Sequence, residues 1–224
     1  MTVHSKKTIL IFGMPGSGKD TQADLLQKNT GLVRVRTSKL LEDKFNNTDP
    51  SDTFLMEQKK IWHEGKLNDP EWVTSIVIEK IKELSGKNKG TILSASPRTL
   101  YEAKVEMPLF EELYGRDNIK IFLLKLSDEE AVKRNTKRLV CEANEHPIDP
   151  KLVEEGIKIC PIDGSLVVTR TLDNEETMKM RLSEFYNRTS PIFDFLRENS
   201  FQIIEINGEQ PIEKVHEDIM EYLA

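Results

Sequence analysis

The chain has little of what several classes of protein require. Its two cysteines, Cys141 and Cys160, are too few for the disulfide framework of a small secreted domain. No apolar run approaches the roughly 20 residues of a membrane span, and no low-complexity tract is present. The polar residues 1–7 lack the apolar segment of a signal peptide. We therefore expect a cytosolic protein without a membrane partner.

Positive charge is also in deficit, because the formal net charge at pH 7 is −6. A general nucleic-acid binder carries an excess of Lys and Arg, so this balance argues against that class. An anionic ligand would have to be held by basic side chains that are clustered locally. With 224 residues, the chain can bury the core of one domain.

The most informative segment is glycine-rich and reads Ile-Phe-Gly-Met-Pro-Gly-Ser-Gly-Lys-Asp-Thr-Gln over residues 11–22. It lies between an apolar run and a helical pattern, which is the setting of a phosphate-binding loop. Backbone N–H groups from Gly16 to Lys19 would face one concavity at the positive end of the helix. Lys19 would bind the outer phosphates, and Thr21 would offer a hydroxyl to Mg²⁺. The loop predicts a nucleoside triphosphate ligand, and an ordinary Gly/Pro turn is the alternative.

Strand and helix patterns alternate along the chain. The β-rich runs are residues 8–12, 32–35, 91–94, 119–126 and 201–206. The helical patterns are residues 19–29, 38–46, 52–64, 70–84, 99–114, 128–139, 173–199 and 211–223. Nearly continuous apolar strands suit a parallel sheet that is covered on both faces. The pattern predicts an α/β doubly wound sheet with ligands at the carboxyl ends of its strands.

Two segments interrupt the alternation. Residues 38–84 contain three consecutive helical patterns, and residues 140–170 are rich in turn signals. Both are interpreted as movable attachments to a rigid core. Phosphoryl transfer favours such attachments, because water must be excluded from the reacting phosphate.

Taken together, these features resemble the adenylate kinase family of nucleoside monophosphate kinases. Residues 13–22 match the family's Gly-x-Pro-Gly-Ser-Gly-Lys-x-Thr-Gln, and residues 37–41 stand where the family has Thr-Gly-Asp-Leu-Leu. Residues 65–67 match the family's Gly-Lys-Leu, and residues 97–99 match its Pro-Arg-Thr. Residues 173–182 match a later helix of the family, which begins with acidic residues and carries an arginine, here Arg181. The resemblance covers nearly the whole chain.

The resemblance implies a phosphate-loop NTPase fold with a five-stranded parallel sheet. The core would comprise residues 1–36, 69–139 and 171–224. A helical monophosphate-binding insertion would span about 37–68, and a lid about 140–170. The implied reaction is transfer of the γ-phosphate of Mg²⁺-bound ATP to a nucleoside monophosphate. The implied partners are small nucleotides, and the implied state is a monomer.

The resemblance also implies roles for basic residues. Lys19 would position the γ-phosphate, while Arg98 and Arg181 would hold the acceptor phosphate with their planar forks. Arg138 and Arg170 would close over the transferring group. The alternative for each arginine is a solvated charge on a helix.

Further contacts are implied at both ends of the site. Arg134 would stack on the base of ATP, and Gln210 would lie beside that base. The other residues implied to contact ATP are Gly13, Pro15, Gly16, Ser17, Gly18, Lys19, Asp20, Thr21 and Arg138. Those implied to contact the monophosphate are Thr37, Lys66, Leu67, Asn68, Ala95, Arg98, Glu102, Arg170 and Arg181.

The chain departs from the family's pattern around the acceptor. Glu42 replaces an arginine, and Ser94 replaces an aspartate that organises waters around Mg²⁺. Glu102 replaces a glutamine that reads the adenine edge. An ionised carboxylate only accepts hydrogen bonds, so it would suit the N1–H and N2–H groups of guanine. One hypothesis is an acceptor preference shifted towards GMP; the alternative is that Glu102 is a solvated helix residue and AMP remains the acceptor.

Two further functions stay open at this stage. Glu42 and Ser94 motivate a nucleotide-binding regulator with weakened catalysis. A phosphate-loop kinase for a non-nucleotide acceptor is a third hypothesis, against which Thr37, residues 65–67 and Arg98 count.

The lid segment resembles the zinc-bearing lid found in the family. Cys141, Cys160 and Asp163 would supply three ligands, whereas Asn144 stands in place of a cysteine. His146 is close enough in sequence to serve as the fourth ligand. The sequence leaves two alternatives, a structural Zn²⁺ or a metal-free lid held by hydrogen bonds and packing.

Overall fold

The computed structural model describes residues 7–47, 49–94, 96–136, 138–143, 148, 150–169 and 175–223. Five parallel strands form the central sheet in the order β2-β3-β1-β4-β7. Their bounds are β1 Thr8–Phe12, β2 Val33–Val35, β3 Thr91–Leu93, β4 Ile119–Lys125 and β7 Ile203–Asn207. Each of these strands begins and ends within two residues of the predicted run, so the doubly wound parallel sheet is confirmed.

Alternating residues of the strands fill two separate cores, one on each face of the sheet. On one face, Leu10 and Ile121 pack with helices α2, α4, α5 and α9. On the other, Ile11 and Phe122 pack with α1 and α10. The helices are α1 Lys19–Thr30, α2 Thr37–Asn46, α3 Thr53–His63, α4 Pro70–Gly86, α5 Leu100–Tyr114, α6 Asp128–Thr136, α7 Pro150–Glu154, α8 Glu175–Glu184, α9 Pro191–Glu198 and α10 Ile212–Glu221. Burial on both faces explains why the strands read as continuous apolar runs.

The prediction of a single helix over residues 173–199 is wrong. A π-helical turn over Phe185–Thr189 separates α8 from α9, and Ser190 N donates to Phe185 O at 2.8 Å. Pro191 opens α9, where its missing N–H costs no internal hydrogen bond. The apolar residues still follow helical spacing, because a π turn inserts one residue without reversing the chain.

The prediction for residues 128–139 is also wrong at its end. Helix α6 stops at Thr136, and Leu139 begins β5 (Leu139–Cys141). This strand pairs in antiparallel fashion with β6 (Val167–Thr169), and α7 lies between them in the chain. The two strands form a ribbon outside the main sheet, within the segment predicted as a lid.

No described helix combines the length and the apolar character needed to cross a lipid bilayer.

Candidate active site

The loop between β1 and α1 approaches neighbouring segments closely. Gly16 and Gly18 have φ angles of 84° and 85°, in the left-handed region that favours glycine. A Cβ on Gly16 would lie 2.3 Å from the side-chain nitrogen of Asn135 on α6. The hydroxyl of Ser17 is buried and makes no hydrogen bond with described residues. The loop therefore presents backbone N–H groups at the N-terminus of α1, as anion binding requires.

Lys19 lies at the start of α1 and faces the cleft above the sheet. Its Nζ is 3.4 Å from Met14 O. Burial lowers the pKa of Lys19 to about 7, against the opposing effect of Asp20, and the positive charges of Arg98, Arg181 and Arg138 lower it further. Cationic side chains from distant segments thus act on the same ammonium group.

A cleft of about 550 Å³ lies between the carboxyl ends of the strands and helix α8. Lys19, Arg98 and Arg181 all line it, together with Gly13 and Pro15 of the loop. These residues are far apart in sequence, but the carboxyl ends of parallel strands bring them to one edge of the sheet. Arg138 lies close enough to affect the pKa of Lys19.

Arg98 is positioned through its own backbone. Its N–H donates to Glu102 Oε2 at 2.8 Å, and its carbonyl oxygen accepts from Thr189 Oγ1 at 2.8 Å. Thr189 is the last residue of the π turn. The irregular turn in the long helical region therefore supports the segment that carries Arg98.

A second pocket of about 420 Å³ shares Arg98 and Leu67 with the cleft. Thr37 lines it, and the Thr37 hydroxyl is buried with no hydrogen-bond partner among the described residues. The remaining residues of the predicted acceptor site that line it are Lys66, Asn68 and Glu102. Lys66 pairs with Glu64 at 2.7 Å. An elongated ligand can occupy both pockets and contact Arg98 between them.

A family model for adenylate kinase matches residues 11–201 of this chain. The chain belongs to the adenylate kinase family. The adenylate kinase of Chlamydia trachomatis serovar D is 28% identical over 228 residues, covering 96% of this chain and 89% of that protein. The adenylate kinase of Francisella tularensis subsp. novicida is 28% identical over 226 residues, covering 96% of this chain and 98% of that protein. Membership makes the chain a nucleoside monophosphate kinase, and adenylate kinases use ATP and Mg²⁺.

The residue at the family's glutamine position, Glu102, is not a solvated helix residue. It is 2% exposed, and both carboxylate oxygens accept hydrogen bonds, from Arg98 N at 2.8 Å and from Thr99 Oγ1 at 2.9 Å. Thr99 Oγ1 in turn accepts from Glu102 N at 3.2 Å, which makes the pair a cap at the start of α5. Burial raises the pKa of Glu102, although these hydrogen bonds and Arg98 oppose the rise.

A second buried carboxyl group, Glu106, lies one helical turn further along α5. It is fully buried, and Ser96 Oγ lies 3.0 and 3.1 Å from its two carboxyl oxygens. Burial raises the pKa of Glu106 well above its ordinary value, and the nearby Glu102 raises it further. Glu106 therefore keeps its proton to higher pH than an exposed glutamate does. Sequence reasoning missed this group, because a charged residue on a helix is expected to face solvent.

Another group that sequence reasoning missed is the pair Glu184 and Arg188. Glu184 Oε2 accepts from Leu67 N at 3.0 Å, and Arg188 Nη1 donates to Leu67 O at 3.2 Å. The two side chains also pair with each other at 3.3 Å. Their spacing of four residues was a visible signal, although it indicates only a pair on one helix face. They hold the segment that joins the two pockets.

The two residues predicted to contact the ATP base, Arg134 and Gln210, lie at the loop after β7. Arg134 Nη1 donates to Gly208 O at 2.8 Å, and its Nε pairs with Glu130 at 2.9 Å. Gln210, two residues further on, bonds to Asp218 at 2.7 Å. Arg134 and Gln210 thus lie on the same side of the molecule.

One predicted contact residue of the second pocket is itself engaged, and others fall outside the described residues. The amide of Asn68 donates to Gln58 O at 2.7 Å, so this side chain anchors the pocket wall. Ala95, Arg170 and His146 fall outside the described residues, as does Asn144.

The lid segment brings three potential metal ligands together. The ligand atoms of Cys141, Cys160 and Asp163 lie within 4.8 Å of one another, and Cys141 Sγ donates to Asp163 Oδ2 at 3.2 Å. Both thiols are buried in a small apolar cluster with Ile148. Two thiolates and a carboxylate match the donor types that Zn²⁺ prefers, so the described residues fit this metal.

Proposed function

We propose that this chain transfers the γ-phosphate of Mg²⁺-bound ATP to a nucleoside monophosphate, with AMP as the first candidate acceptor. The observation that carries the proposal is the single cleft lined by Lys19, Arg98 and Arg181. Phosphoryl transfer requires little covalent chemistry from the protein, so positioning and charge neutralisation dominate. A cleft with three cationic side chains beside a phosphate loop can supply both.

The roles divide between the two pockets. Lys19 and the backbone of residues 13–19 bind the ATP phosphates, and Thr21 offers its hydroxyl to Mg²⁺. Mg²⁺ supplies charge neutralisation on the β- and γ-phosphates when bound. Arg98 and Arg181 hold the acceptor phosphate, and Arg138 and Arg170 neutralise the transferring group. Arg134 and Gln210 contact the ATP base.

The second pocket holds the acceptor nucleoside in this proposal. Leu67 and Asn68 form one wall, Thr37 offers a buried hydroxyl, and Lys66 lies at the rim. Glu102 is buried at this pocket, which keeps GMP as a second candidate, since a carboxylate can accept from guanine N1–H and N2–H. Each of its oxygens already accepts one hydrogen bond, from Arg98 N and from Thr99 Oγ1, so Glu102 also serves to hold the start of α5.

The proposed monophosphate-binding insertion comprises residues 37–68, and the proposed lid comprises residues 140–170. We further propose that the lid binds one structural Zn²⁺ through Cys141, Cys160 and Asp163, with His146 as the fourth ligand. The support is the cluster of two buried thiols and the exposed carboxylate of Asp163. The chain is proposed to act as a monomer on small nucleotides.

The test is initial-rate ADP formation from Mg²⁺-ATP with AMP, GMP, CMP and UMP offered separately. The proposal expects saturable turnover, with AMP giving the highest kcat/KM. A preference for GMP that Glu102→Gln reverses would support the second candidate. Binding of ATP without turnover on any of the four acceptors would contradict the proposal and favour a regulator.

A further inference from the structure

The first turn of α1 carries a carboxylate that the phosphate loop itself does not require. Asp20 lies between Lys19 and Thr21, and about half of its side chain is exposed. Its Oδ1 accepts from Ser94 Oγ at 2.8 Å and pairs with Arg34. Its Oδ2 makes no hydrogen bond with the described residues. One carboxylate oxygen is therefore fixed, and the other remains open to a ligand.

Ser94 makes this placement informative. Residue 94 directly follows β3, so it lies at the carboxyl edge of the sheet. A short serine stands there, and its hydroxyl donates to a carboxylate that reaches across from α1. A negative charge is thus present at the carboxyl end of β3, and Asp20 of α1 supplies it.

Other carboxylates near the cleft are engaged. Glu184 is the one carboxylate among the described residues that line the cleft, and it holds Leu67 N and Arg188. On α2, position 39 carries a lysine rather than an aspartate, and Lys39 pairs with Asp43 at 3.2 Å on the surface. Asp20 is therefore the carboxylate placed directly beside Thr21.

Arg34 explains how the carboxylate is oriented. Only 6% of its side chain is exposed, and its guanidinium spans Asp20 and Asp24, with Nη1 2.5 Å from Asp24 Oδ1. A planar guanidinium that bridges two carboxylates restricts the rotation of both. The contact engages Oδ1 of Asp20 and leaves Oδ2 on the opposite side of the carboxylate.

We propose that Asp20 is a positioning residue that accepts, through Oδ2, a hydrogen bond from water on the Mg²⁺ that enters with ATP. Mg²⁺ keeps several waters and is bound through few carboxylates plus phosphates, so a carboxylate beside Thr21 can orient that water shell. Asp20 thereby supplies a carboxylate at the edge of the sheet where β3 is followed by Ser94. The inference rests on the proposed function, but its readout is metal binding rather than turnover.

The test measures how Mg²⁺ controls binding of a non-hydrolysable ATP analogue to Asp20→Asn, by calorimetry over a range of Mg²⁺ concentrations. We expect the half-saturating Mg²⁺ concentration to rise about 10-fold, as for loss of other residues that orient metal ligands. Binding of the metal-free analogue should stay unchanged or tighten, because a negative charge near the phosphates is removed. Electron paramagnetic resonance of Mn²⁺, used in place of Mg²⁺, compares metal binding by wild type and Asp20→Asn directly.

The matched control is Asp24→Asn, which loses a pairing with the same Arg34 and one with Arg36, and which lies one helical turn along α1 from Asp20. It should leave the Mg²⁺ dependence unchanged. If Asp20 serves only as an ion-pair partner, both variants will lower the melting temperature alike and neither will change the Mg²⁺ dependence, which overturns the proposal.

An exchange variant guards against loss of folding in Asp20→Asn. Asp20→Ser combined with Ser94→Asp returns the carboxylate to the strand end. The proposal expects this double variant to recover most of the Mg²⁺ dependence that Asp20→Ser alone loses. Failure to recover it in a folded double variant counts against Asp20, whereas absence of kinase turnover in the wild type would count against the proposed function instead.

Discussion

At the scale of single residues, Arg98 is the side chain that connects the two halves of the proposed site. It lines both pockets, and both hydrogen-bonding groups of its backbone are held by side chains, Glu102 and Thr189. These hydrogen bonds fix the backbone from which the Arg98 side chain extends. The geometry of the Arg98 guanidinium therefore matters as well as its charge.

Arg98→Lys keeps the charge but removes the planar fork. We expect kcat/KM for the acceptor to fall about 100-fold, because a lysine cannot grip a phosphate at two points. Steady-state kinetics with varied AMP measures this. The control is Arg197→Lys, an exposed arginine paired with Asp194, which should behave as wild type. Unchanged kinetics in Arg98→Lys would remove Arg98 from the proposed site.

Glu106 gives a prediction about stability. Because burial raises its pKa, the folded chain keeps a proton that the unfolded chain loses above about pH 4.5. The unfolded state then binds fewer protons, so the free energy of unfolding falls as pH rises towards the raised pKa of Glu106. Glu106→Gln should remove this loss, so the free energy of unfolding of the variant should fall less than that of wild type between pH 5 and pH 8.

Urea unfolding at the two pH values compares wild type with Glu106→Gln. Glu112→Gln, on the exposed side of the same helix, is the control and should follow wild type. Identical pH dependence in wild type and Glu106→Gln would mean that Glu106 is not the protonated group.

At the scale of elements, the π turn over Phe185–Thr189 links the segments that carry Leu67 and Arg98 to α8 and α9. It directs Arg188 to Leu67 and Thr189 to Arg98, two residues that line both pockets. Irregular turns of this kind often occur in helices at functional sites.

Thr189→Val removes the hydroxyl that donates to Arg98 O but preserves the shape of the side chain. Losing this bond should cost about 1 kcal/mol, seen as a several-fold higher KM for the acceptor with the KM for ATP unchanged. Thr189→Ser keeps the hydroxyl and should retain the wild-type values. Equal changes in both KM values would indicate general destabilisation rather than a link to the acceptor.

The lid ribbon gives a prediction about metal content. Elemental analysis of protein never exposed to chelator should find about one zinc per chain. Chelation or Asp163→Asn should lower the melting temperature, whereas Glu155→Gln, an exposed lid carboxylate outside the cluster, should not. A zinc content near zero would favour the alternative, a lid held by the Cys141–Asp163 hydrogen bond and apolar packing.

At the scale of the whole molecule, the sheet accounts for the convergence of distant residues. Lys19 follows β1, Arg98 follows β3, and Arg181 reaches the same edge from α8. Gly65 allows a close approach here, because a Cβ on it would lie 2.7 Å from Thr177 on α8. That approach brings the segment carrying Leu67 to the helix that carries Arg181.

The sequence predicts this framework because continuous apolar runs and the glycine pattern of the loop are strong local signals. Strands β5 and β6 were missed because residue 139 was assigned to the preceding helical pattern and residues 140–170 were interpreted from their turn signals. The π turn was missed because apolar spacing continues through it. The cap that Thr99 and Glu102 form follows a local Thr-x-x-Glu pattern. The burial of Glu106 beside Ser96 depends instead on packing that no local pattern encodes.

The central claim is that the phosphates of two nucleotides meet in the cleft beside Lys19, Arg98 and Arg181. Its most direct test is the ³¹P resonance of AMP bound together with a non-transferable ATP analogue and Mn²⁺. We predict strong paramagnetic broadening of the AMP phosphorus signal in the wild type, and its loss in an Arg98→Ala, Arg181→Ala double variant. An AMP signal that stays sharp while calorimetry shows both nucleotides bound to the wild type would contradict the claim.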